Sequence, residues 1–459
     1  RRLTVMTFLG AGMLSGISAQ VSPLQVDTLK ETKIPDQWDL QSCIDYAKEQ
    51  NITIRKNRIT AASTQIDVKT AKAAMFPSLS FSTGQQVVNR PYQETSSRVS
   101  GSEIISSNSK TSYNGNYGLN ASWTLYNGNK RLKTIQQEKL NNQMAELDVA
   151  TSENNIQESI AQVYIQILYA AESVKVNENT LQVSIAQRDR GQELLNAGSI
   201  AKSDLAQLEA QVSTDRYQLV TAQATLEDYK LQLKQLLELD GENEMNIYLP
   251  ALSDENVLAP LPTKRDVYIS ALSLRPEIEA SKLNVEASEL GINIAKSSYF
   301  PTISLSAGIG TNHTSGSDFT FGEQVKNGWN NSIGLSVSVP IFNNRQTKSA
   351  VQKAKLQYET SMLSLLDEQK ALYKTIESLW LDANSAQQRY AAANEKLKST
   401  QISYELISEQ FNLGMKNTVE LLTEKNNLLQ AQQEQLQAKY MAILNTQLLK
   451  FYQGDQLAL

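Results

Sequence analysis

The sequence predicts a mainly α-helical protein with a smaller β component, built from two copies of one unit. Two tracts without proline, residues 92–249 and 341–459, carry apolar residues at alternating steps of three and four, the period of helices that supercoil around each other. Four segments between the predicted helices alternate apolar and polar residues, as strands with one apolar face do. Both signals occur in each half of the chain, which indicates an internal duplication.

Composition excludes several classes of protein. The 459 residues include 43 Lys and Arg against 48 Asp and Glu, and this balance argues against a nucleic-acid-binding protein. One Cys and one His are too few for a structural zinc site, and Cys43 has no second cysteine to pair with. The only histidine, His313, lies in a predicted loop without a partner for catalysis. We therefore expect no enzymatic activity, no metal and no cofactor.

The first residues have the order of a secretory signal. Arg1 and Arg2 precede an apolar stretch from Leu3 to Leu14, and small residues follow up to Ala19. We interpret residues 1–19 as a signal peptide, which would take the chain out of the cytoplasm, and residues 20–37 as an N-terminal linker.

The first repeat is predicted to span residues 38–240. Its predicted elements are a helix at 38–75, strands at 77–88 and 113–126, a long helix at 128–196 and a returning helix at 201–239. Gly198 lies in the turn between the last two helices, where glycine suits a left-handed end of a helix. The two helices should therefore fold back on each other as a hairpin.

The second repeat is predicted to span residues 263–454, after a connector at 241–262. Its predicted elements are a helix at 263–299, strands at 301–311 and 329–341, a long helix at 345–412, a helix at 417–452, and then a tail at 455–459. Residues 51–77 align with 275–301 at an offset of 224, and the sequence from Leu119 aligns with that from Leu335 at an offset of 216. The difference of eight falls in a polar stretch, which predicts surface loops at 85–112 and 311–327.

The alternating segments predict strands with one face of Ser, Asn and Thr and one apolar face. A soluble β-sandwich is one reading of this pattern. A lipid-facing sheet explains it better because the predicted helices use their apolar seams on each other. Four strands cannot close a barrel, so several copies would have to pool their strands. The predicted lipid-facing residues are Leu79, Phe81, Tyr117, Leu119, Trp123, Leu125, Ile303, Leu305, Ile333, Leu335 and Val337.

The order of these signals resembles one family. A helix is followed by a Phe-Pro strand (Phe76-Pro77), a second strand, Tyr126-Asn127-Gly128, a long helix, an Asn-x-Gly turn and a helix, and a related order recurs after Phe300-Pro301. This arrangement resembles the TolC-like outer-membrane efflux proteins. The resemblance implies a homotrimer in which long hairpins form a helical barrel and four strands per chain form a shared 12-stranded transmembrane β-barrel. The connector 241–262 would then lie at its equator.

The resemblance also implies a function and a location. The chain would be the passive exit duct of a tripartite efflux or type I secretion system, in the outer membrane of a Gram-negative bacterium and extending into the periplasm. Its partners would be a periplasmic adaptor (membrane fusion) protein, an inner-membrane pump and outer-membrane lipid. The cargo, whether drug, metal or protein, is not specified by the sequence.

By the same resemblance, the hairpin tips would dock the adaptor and close the duct. The tip residues are Asn196, Ala197, Gly198, Ser199, Asn412, Leu413, Gly414 and Met415. The periplasmic gate residues implied by the family pattern are Ser203, Asp204, Phe411, Lys416 and Glu420. Asp204 would pair with Lys416 across hairpins, and Glu420 would line a ring of acids. Phe411 lacks a phenol hydroxyl, and Thr423 stands where a second acid is common.

One alternative shares the long helices and the scarcity of cysteine. A secreted or surface coiled-coil structural or filament protein would have the same seams but would not need lipid-facing strands. Dependence on detergent separates the two hypotheses, since a scaffold would stay in solution without it.

Overall fold

The computed structural model describes residues 35–92, 96–100, 103–107, 110–240, 245–250, 257–317 and 319–457. The predicted signal peptide and nearly all of the predicted linker lie outside these ranges. The helices are α1 (Leu40–Gln50), α2 (Ile52–Ala73), α3 (Lys130–Asn196), α4 (Lys202–Leu236), α5 (Lys264–Leu274), α6 (Pro276–Ser297), α7 (Phe321–Asn327), α8 (Gln346–Asn412) and α9 (Thr418–Gln453). The strands are β1 (Ser78–Asn89), β2 (Ser96–Ser100), β3 (Glu103–Ser107), β4 (Thr111–Asn127), β5 (Thr302–Thr314) and β6 (Asn330–Ser338).

The architecture is mainly α-helical with a smaller β component, as predicted. Four strands form an antiparallel sheet in the order β1-β4-β5-β6, and β2 and β3 form a separate hairpin. Each strand of the sheet adjoins one helix in the sequence, and these helices pack in the corresponding order α2-α3-α6-α8. The strands of the sheet and the helices therefore have the same order of neighbours. One edge is formed by β1 and α2, and the other by β6 and α8.

The two repeats have corresponding helices and turns in the structure. Helices α3 and α8 each have 67 residues, and α4 and α9 have 35 and 36. Before α3, Gly128 and Asn129 have φ of 67° and 64°, and before α8, Asn344 and Arg345 have φ of 49° and 64°. Two successive left-handed residues turn the chain sharply from strand to helix in both repeats.

The predicted helix at 38–75 is wrong as one helix, because Asn51 divides it into α1 and α2. The Asn51 side-chain oxygen accepts from the Thr53 backbone N–H at 2.9 Å and so caps α2. Its amide nitrogen donates to the Leu236 carbonyl at the end of α4, at 3.0 Å. The break therefore connects the N-terminal helices to the end of the first hairpin.

The predicted helix at 263–299 is likewise two helices, α5 and α6. Pro276 is the first residue of α6. A backbone N–H at this position would have no acceptor within the helix, so proline is tolerated there. Arg275 before it has ψ of 123°, the extended conformation that proline favours in the preceding residue. The helix therefore has to end at this point and restart.

The two predicted loops contain regular structure. In the stretch predicted as loop 85–112, β1 continues to Asn89, β2 and β3 pair, and β4 begins at Thr111. In the stretch 311–327, β5 continues to Thr314 and α7 follows. Strand β6 ends at Ser338, earlier than the predicted 341, and Pro340 beyond it has no N–H to donate to a sheet.

The largest buried core lies around the middle of α3. Trp38, Tyr164, Tyr390 and Ile443 are among its members. Trp38 exchanges two backbone hydrogen bonds with the segment 245–250, and the Tyr164 hydroxyl donates to the Tyr248 carbonyl at 2.6 Å. The segment 245–250 therefore lies against the middle of α3, and its Ile247 packs on the core to which both repeats contribute.

Candidate functional site

The sheet has one apolar face formed by rows of directly opposed side chains. Phe81, Leu119 and Ile309 form one row, and Trp123, Leu305 and Leu335 form another. Ile303 opposes Val337, and Leu79 lies in the row that ends at Ile333. In the single chain Leu79 is 70% exposed and Ile333 is 83% exposed. Most of the predicted apolar residues thus share one surface, and the described part of the chain leaves much of that surface exposed.

The opposite face of the sheet is polar and uncharged. Ser80, Asn120 and Ser332 lie in one row and Ser78, Ser122 and Ser306 in the next. Small hydroxyl and amide groups bond to one another or to neighbouring carbonyls, as Ser78 does with Ser122 at 2.8 Å. The sheet therefore separates an apolar side from a hydrophilic side.

A bulge changes the expected alternation at the helical end of β4. The pairing with β5 shifts between Thr124 and Tyr126, so that Tyr126 opposes Ile303. Strict alternation would have placed Leu125 there. Trp123 beside the bulge donates its indole N–H to the Met75 carbonyl at 2.8 Å. An aromatic band with polar tips therefore marks this end of the sheet.

The other end of the apolar face carries a second aromatic group. The His313 ring lies 5.3 Å from Tyr113, 5.9 Å from Tyr117 and 5.0 Å from Phe321, measured between centroids. Helix α7 packs over β5 here, and the Thr311 hydroxyl donates to the Val325 carbonyl at 2.7 Å. Sequence reasoning missed α7. The signal was Thr320 and Glu323, a capping box that the structure forms.

At the first hairpin tip, the predicted gate residues lie at the start of α4. Ser203 is exposed and Asp204 is half-buried. The Asp204 carboxylate accepts from the Ala201 backbone N–H at 3.0 Å, which satisfies a free donor at the N-terminus of α4.

At the second hairpin tip, Lys416 pairs with Glu420 at 2.6 Å. Glu420 also accepts from the Asn417 N–H, and Asn417 accepts from the Glu420 N–H, so the two residues cap α9 reciprocally. The Lys416 hydrogen bond, together with the Asn417 N–H, lowers the pKa of Glu420. Among the described residues of one chain, Lys416 and Asp204 do not pair, because each has a partner near its own tip. Phe411 is buried.

The ends of both hairpins have the same shape. Gly198 has φ of 75° and Gly414 has φ of 74°, the left-handed conformation that ends α3 and α8. Around Gly414, Leu413 and Met415 are each 71% exposed. The second tip thus presents two large apolar side chains to its surroundings.

A polar cluster farther up the hairpins was not predicted. Ser184 on α3, Asp215 on α4 and Lys425 on α9 are all buried and hydrogen-bonded to one another. The signal was Asp215 itself, which stands in the α4 seam (Leu208, Val212, Asp215 and Leu219, at heptad spacing) where an apolar residue is expected.

No group of three or more His, Cys, Asp or Glu side chains in the part of the chain that the structure describes is placed to hold a metal ion. None of its helices is both long enough and apolar enough to cross a membrane.

A sheet with one apolar and one hydrophilic face, continued by paired helices far longer than those of ordinary globular proteins, defines a channel-type architecture. The sequence model of the family described as "outer membrane efflux protein" matches residues 43–238 and 267–454. The chain belongs to this family.

Individual relatives are distant. The chain is 24% identical over 294 residues to the outer membrane efflux protein BepC of Brucella suis, covering 64% of this chain and 61% of the relative. It is 24% identical over 294 residues to the outer membrane protein TolC of Escherichia coli, covering 62% of this chain and 58% of that one. The aligned region thus spans about three fifths of the length of these curated relatives.

The fold is shared with solved structures. A crystal structure of CusC, described as showing transmembrane channel formation, superimposes with a TM-score of 0.76 at 19% identity, covering 91% of this chain and 92% of that one. At this identity the likeness concerns the fold, which both chains have over nearly their whole length.

Proposed function

We propose that three copies of this chain close into the outer-membrane exit duct of a tripartite efflux or type I secretion system. The observation that carries the proposal is the pair of open edges, β1 with α2 on one side and β6 with α8 on the other. Because sheet and helical layer have the same neighbour order, one rotation would join both layers to the next copy. Three copies would supply twelve strands.

The apolar face supports placement of the sheet in the outer membrane of a Gram-negative bacterium. From Ile303 to His313 the strand rises about 33 Å at ~3.3 Å per residue. At a tilt of about 40°, this corresponds to a height of about 25 Å, the height of the apolar band of outer-membrane barrels. The predicted lipid-facing residues would lie within this band, and the Ser and Asn face would line the lumen.

The long hairpins would extend the duct into the periplasm. A helix of 67 residues is about 100 Å long at ~1.5 Å per residue. The exposed Leu413 and Met415 at the second tip suit an apolar contact with a periplasmic adaptor, which would connect the duct to an inner-membrane pump. The duct itself would be passive, with energy supplied by the pump.

The gate would form between copies. Asp204 and Lys416 lie near the two hairpin tips and are each held by a group of their own tip. Exchange of the Lys416 partner from Glu420 to Asp204 of an adjacent hairpin would join the tips around the axis. Glu420 would then be free to face the lumen with its copies and attract cations.

Single-channel recording in planar bilayers tests this function. We expect the purified protein to be trimeric in detergent and to insert as a channel of low conductance. Substitution of Asp204→Ala together with Lys416→Ala should raise the conductance because the tips are released. The control is Glu227→Ala with Lys230→Ala, which removes an exposed pair within α4.

Three outcomes would count against parts of the proposal. A chain that stays monomeric in buffer without detergent would contradict the duct and favour the scaffold alternative. Absence of channels would also contradict the duct. Channels whose conductance is unchanged by the tip substitutions would contradict only the gate residues.

A further inference from the structure

Three helices from both hairpins meet at a buried group of polar side chains, which we call the clasp: Ser184 on α3, Asp215 on α4 and Lys425 on α9. One carboxylate oxygen of Asp215 accepts from the Ser184 hydroxyl and from the Lys425 ammonium, and Lys425 also contacts the Ser184 oxygen. The Lys425 side chain is 3% exposed and that of Asp215 is 1% exposed. The clasp is thus a charge pair that water hardly reaches.

The remaining oxygen of Asp215 is also satisfied. It accepts from the Gln211 side chain at 2.9 Å, and the same amide of Gln211 lies 3.4 Å from the Asn426 side-chain oxygen. The first hairpin therefore supplies the acceptor with two further donors, whereas the second hairpin supplies the cation. Ser184 and Gln211 would keep Asp215 hydrogen-bonded even without Lys425.

The position of this charge pair is costly for the fold. Asp215 takes an apolar place in the α4 seam, between Val212 and Leu219, and burial lowers the pKa of Lys425 against the opposing effect of Asp215. Apolar side chains of similar volume would often pack at least as stably as a buried charge pair. In some proteins a buried directional pair specifies how helices align rather than adding stability.

The clasp lies between the tips and the mid-height core. Ser184 is 12 residues above the end of α3 and Asp215 is 13 residues into α4, which is about 20 Å from the first tip at ~1.5 Å per residue. Lys425 is seven residues into α9, about 10 Å along the helix from the start of α9. The clasp therefore lies above the tips on all three helices.

We infer that the clasp holds the two hairpins of one chain together and confines their relative movement to the segments below it, and so limits how far the duct entrance opens. This inference rests on the proposed function, since an entrance exists only in a closed assembly. The clasp is separate from the tip residues. It joins the two hairpins of one chain and lies farther from the hairpin ends than the tip residues do.

The test uses Lys425→Met, which keeps the length of the side chain and removes the charge that crosses between hairpins. The matched control is Lys396→Met, which removes the exposed pair between Lys396 and Glu434 on α8 and α9 of a single hairpin, at 2.7 Å. Full-length trimers of each variant are recorded in planar bilayers. In parallel, amide hydrogen exchange is followed in α4 and α9 by mass spectrometry.

We expect Lys425→Met to raise the conductance several-fold and to speed exchange in α4 and α9 on both sides of residue 425. We expect Lys396→Met to leave the conductance at the wild-type value. A folded, trimeric Lys425→Met with wild-type conductance overturns the inference, whatever its exchange pattern. An equal rise in both variants also overturns it, because loss of any lysine charge on the second hairpin would then suffice.

A second variant keeps the test decisive if Lys425→Met does not assemble. Asp215→Asn preserves the shape of the side chain and can still accept a hydrogen bond, but it removes the charge attraction. The conductance of this variant is then measured, and the same rise is expected. Wild-type conductance in it overturns the inference. If the wild-type trimer forms no channel, the proposed function fails, whereas a wild-type channel with an unaltered variant removes the clasp alone.

Discussion

At the scale of single residues, the ionisation of Glu420 at the second hairpin tip depends on its neighbours. Lys416 and the Asn417 N–H both favour the ionised form of Glu420 and lower the pKa of its carboxyl below 4.5. For an acid with a lowered pKa, the stabilising contribution is present above pH 4.5 and is lost as the pH falls through the lowered pKa. The cap of α9 should therefore weaken only in acid.

In the Asp204→Ala background, in which Lys416 keeps Glu420 as its partner, substitution of Lys416→Met should raise the pKa of Glu420 toward 4.5, since it removes the larger of the two favourable interactions. Carboxyl titration by NMR on protein labelled with ¹³C-glutamate measures this change, with Glu420→Gln to assign the signal. Glu434, whose pKa is lowered chiefly by Lys396, serves as an internal control and should not move. An unchanged titration of Glu420 would show that Lys416 is not its partner.

Arg275 is a second residue with a testable role. It is buried at the α5–α6 break, bonds Glu158 at 3.1 Å and has its guanidinium 3.6 Å from the centre of the Tyr452 ring. Burial raises the pKa of Glu158, and Arg275 opposes that rise. Arg275 thus makes it possible to keep a charged carboxylate where α3, α6 and α9 meet.

Arg275→Met should destabilise the chain by about 3–5 kcal/mol at neutral pH, because Glu158 is left buried without its partner. The pKa of Glu158 should rise further, so the lost stability returns as the pH falls through that raised value and Glu158 becomes neutral. Thermal unfolding followed by circular dichroism at several pH values measures both effects. Lys282→Met, in an exposed pair on α6, should cost only ~0–1 kcal/mol. A loss independent of pH would contradict the role of Glu158.

At the scale of elements, the turns are where local sequence acts most directly. Gly198 and Gly414 have nearly equal φ, and a Cβ added to either would meet nothing within 4 Å. Gly128 also has positive φ, but there a Cβ would lie 2.6 Å from the Ser297 carbonyl oxygen and 2.9 Å from Phe300. Backbone strain is common to all three positions, whereas a clash occurs only at Gly128.

We therefore expect Gly198→Ala and Gly414→Ala to cost similar amounts, about 1–2 kcal/mol each for the left-handed backbone. Gly128→Ala should cost more because it also displaces the end of α6 from the start of α3. Hydrogen exchange at the tips and thermal unfolding measure the local and global effects. A Gly128→Ala variant no less stable than the tip variants would contradict the close approach.

Prediction of elements from the sequence succeeded for α3, α4, α8 and α9, whose observed ends lie within three residues of the predicted ones. Long heptad seams and a glycine turn are local signals, so no other part of the chain is needed to recognise them. The division at Asn51 was missed because its cause is partly distant. Asn51 bonds the end of α4, which is 185 residues away in sequence. The division at Pro276 had a local signal in the proline itself.

At the scale of the whole molecule, the two faces of the sheet should respond oppositely to charge. Ile333 and Ser332 are neighbours on β6 that point to opposite faces, and both lie near the middle of the apolar band. A lysine on the lipid side of a barrel at mid-membrane costs about 2–4 kcal/mol, whereas lumen positions accept charge.

Ile333→Lys should therefore strongly reduce the amount of trimer recovered from outer membranes, whereas Ser332→Lys should assemble normally. Fractionation of membranes on a density gradient, followed by size-exclusion chromatography in detergent, measures the yield of each. Equal loss in the two variants would show that the apolar face does not contact lipid.

The duplication, the heptad pairing within each hairpin and the apolar face of each strand follow from the amino-acid sequence alone. Those properties depend on periods of two and of seven, which can be read from neighbours along the chain. Tertiary packing alone sets which residues oppose each other across the sheet, the division of the first predicted helix at Asn51, and the meeting of Ser184, Asp215 and Lys425. These contacts join residues dozens to hundreds of positions apart, and their partners are set by how the helices and strands pack rather than by any local pattern.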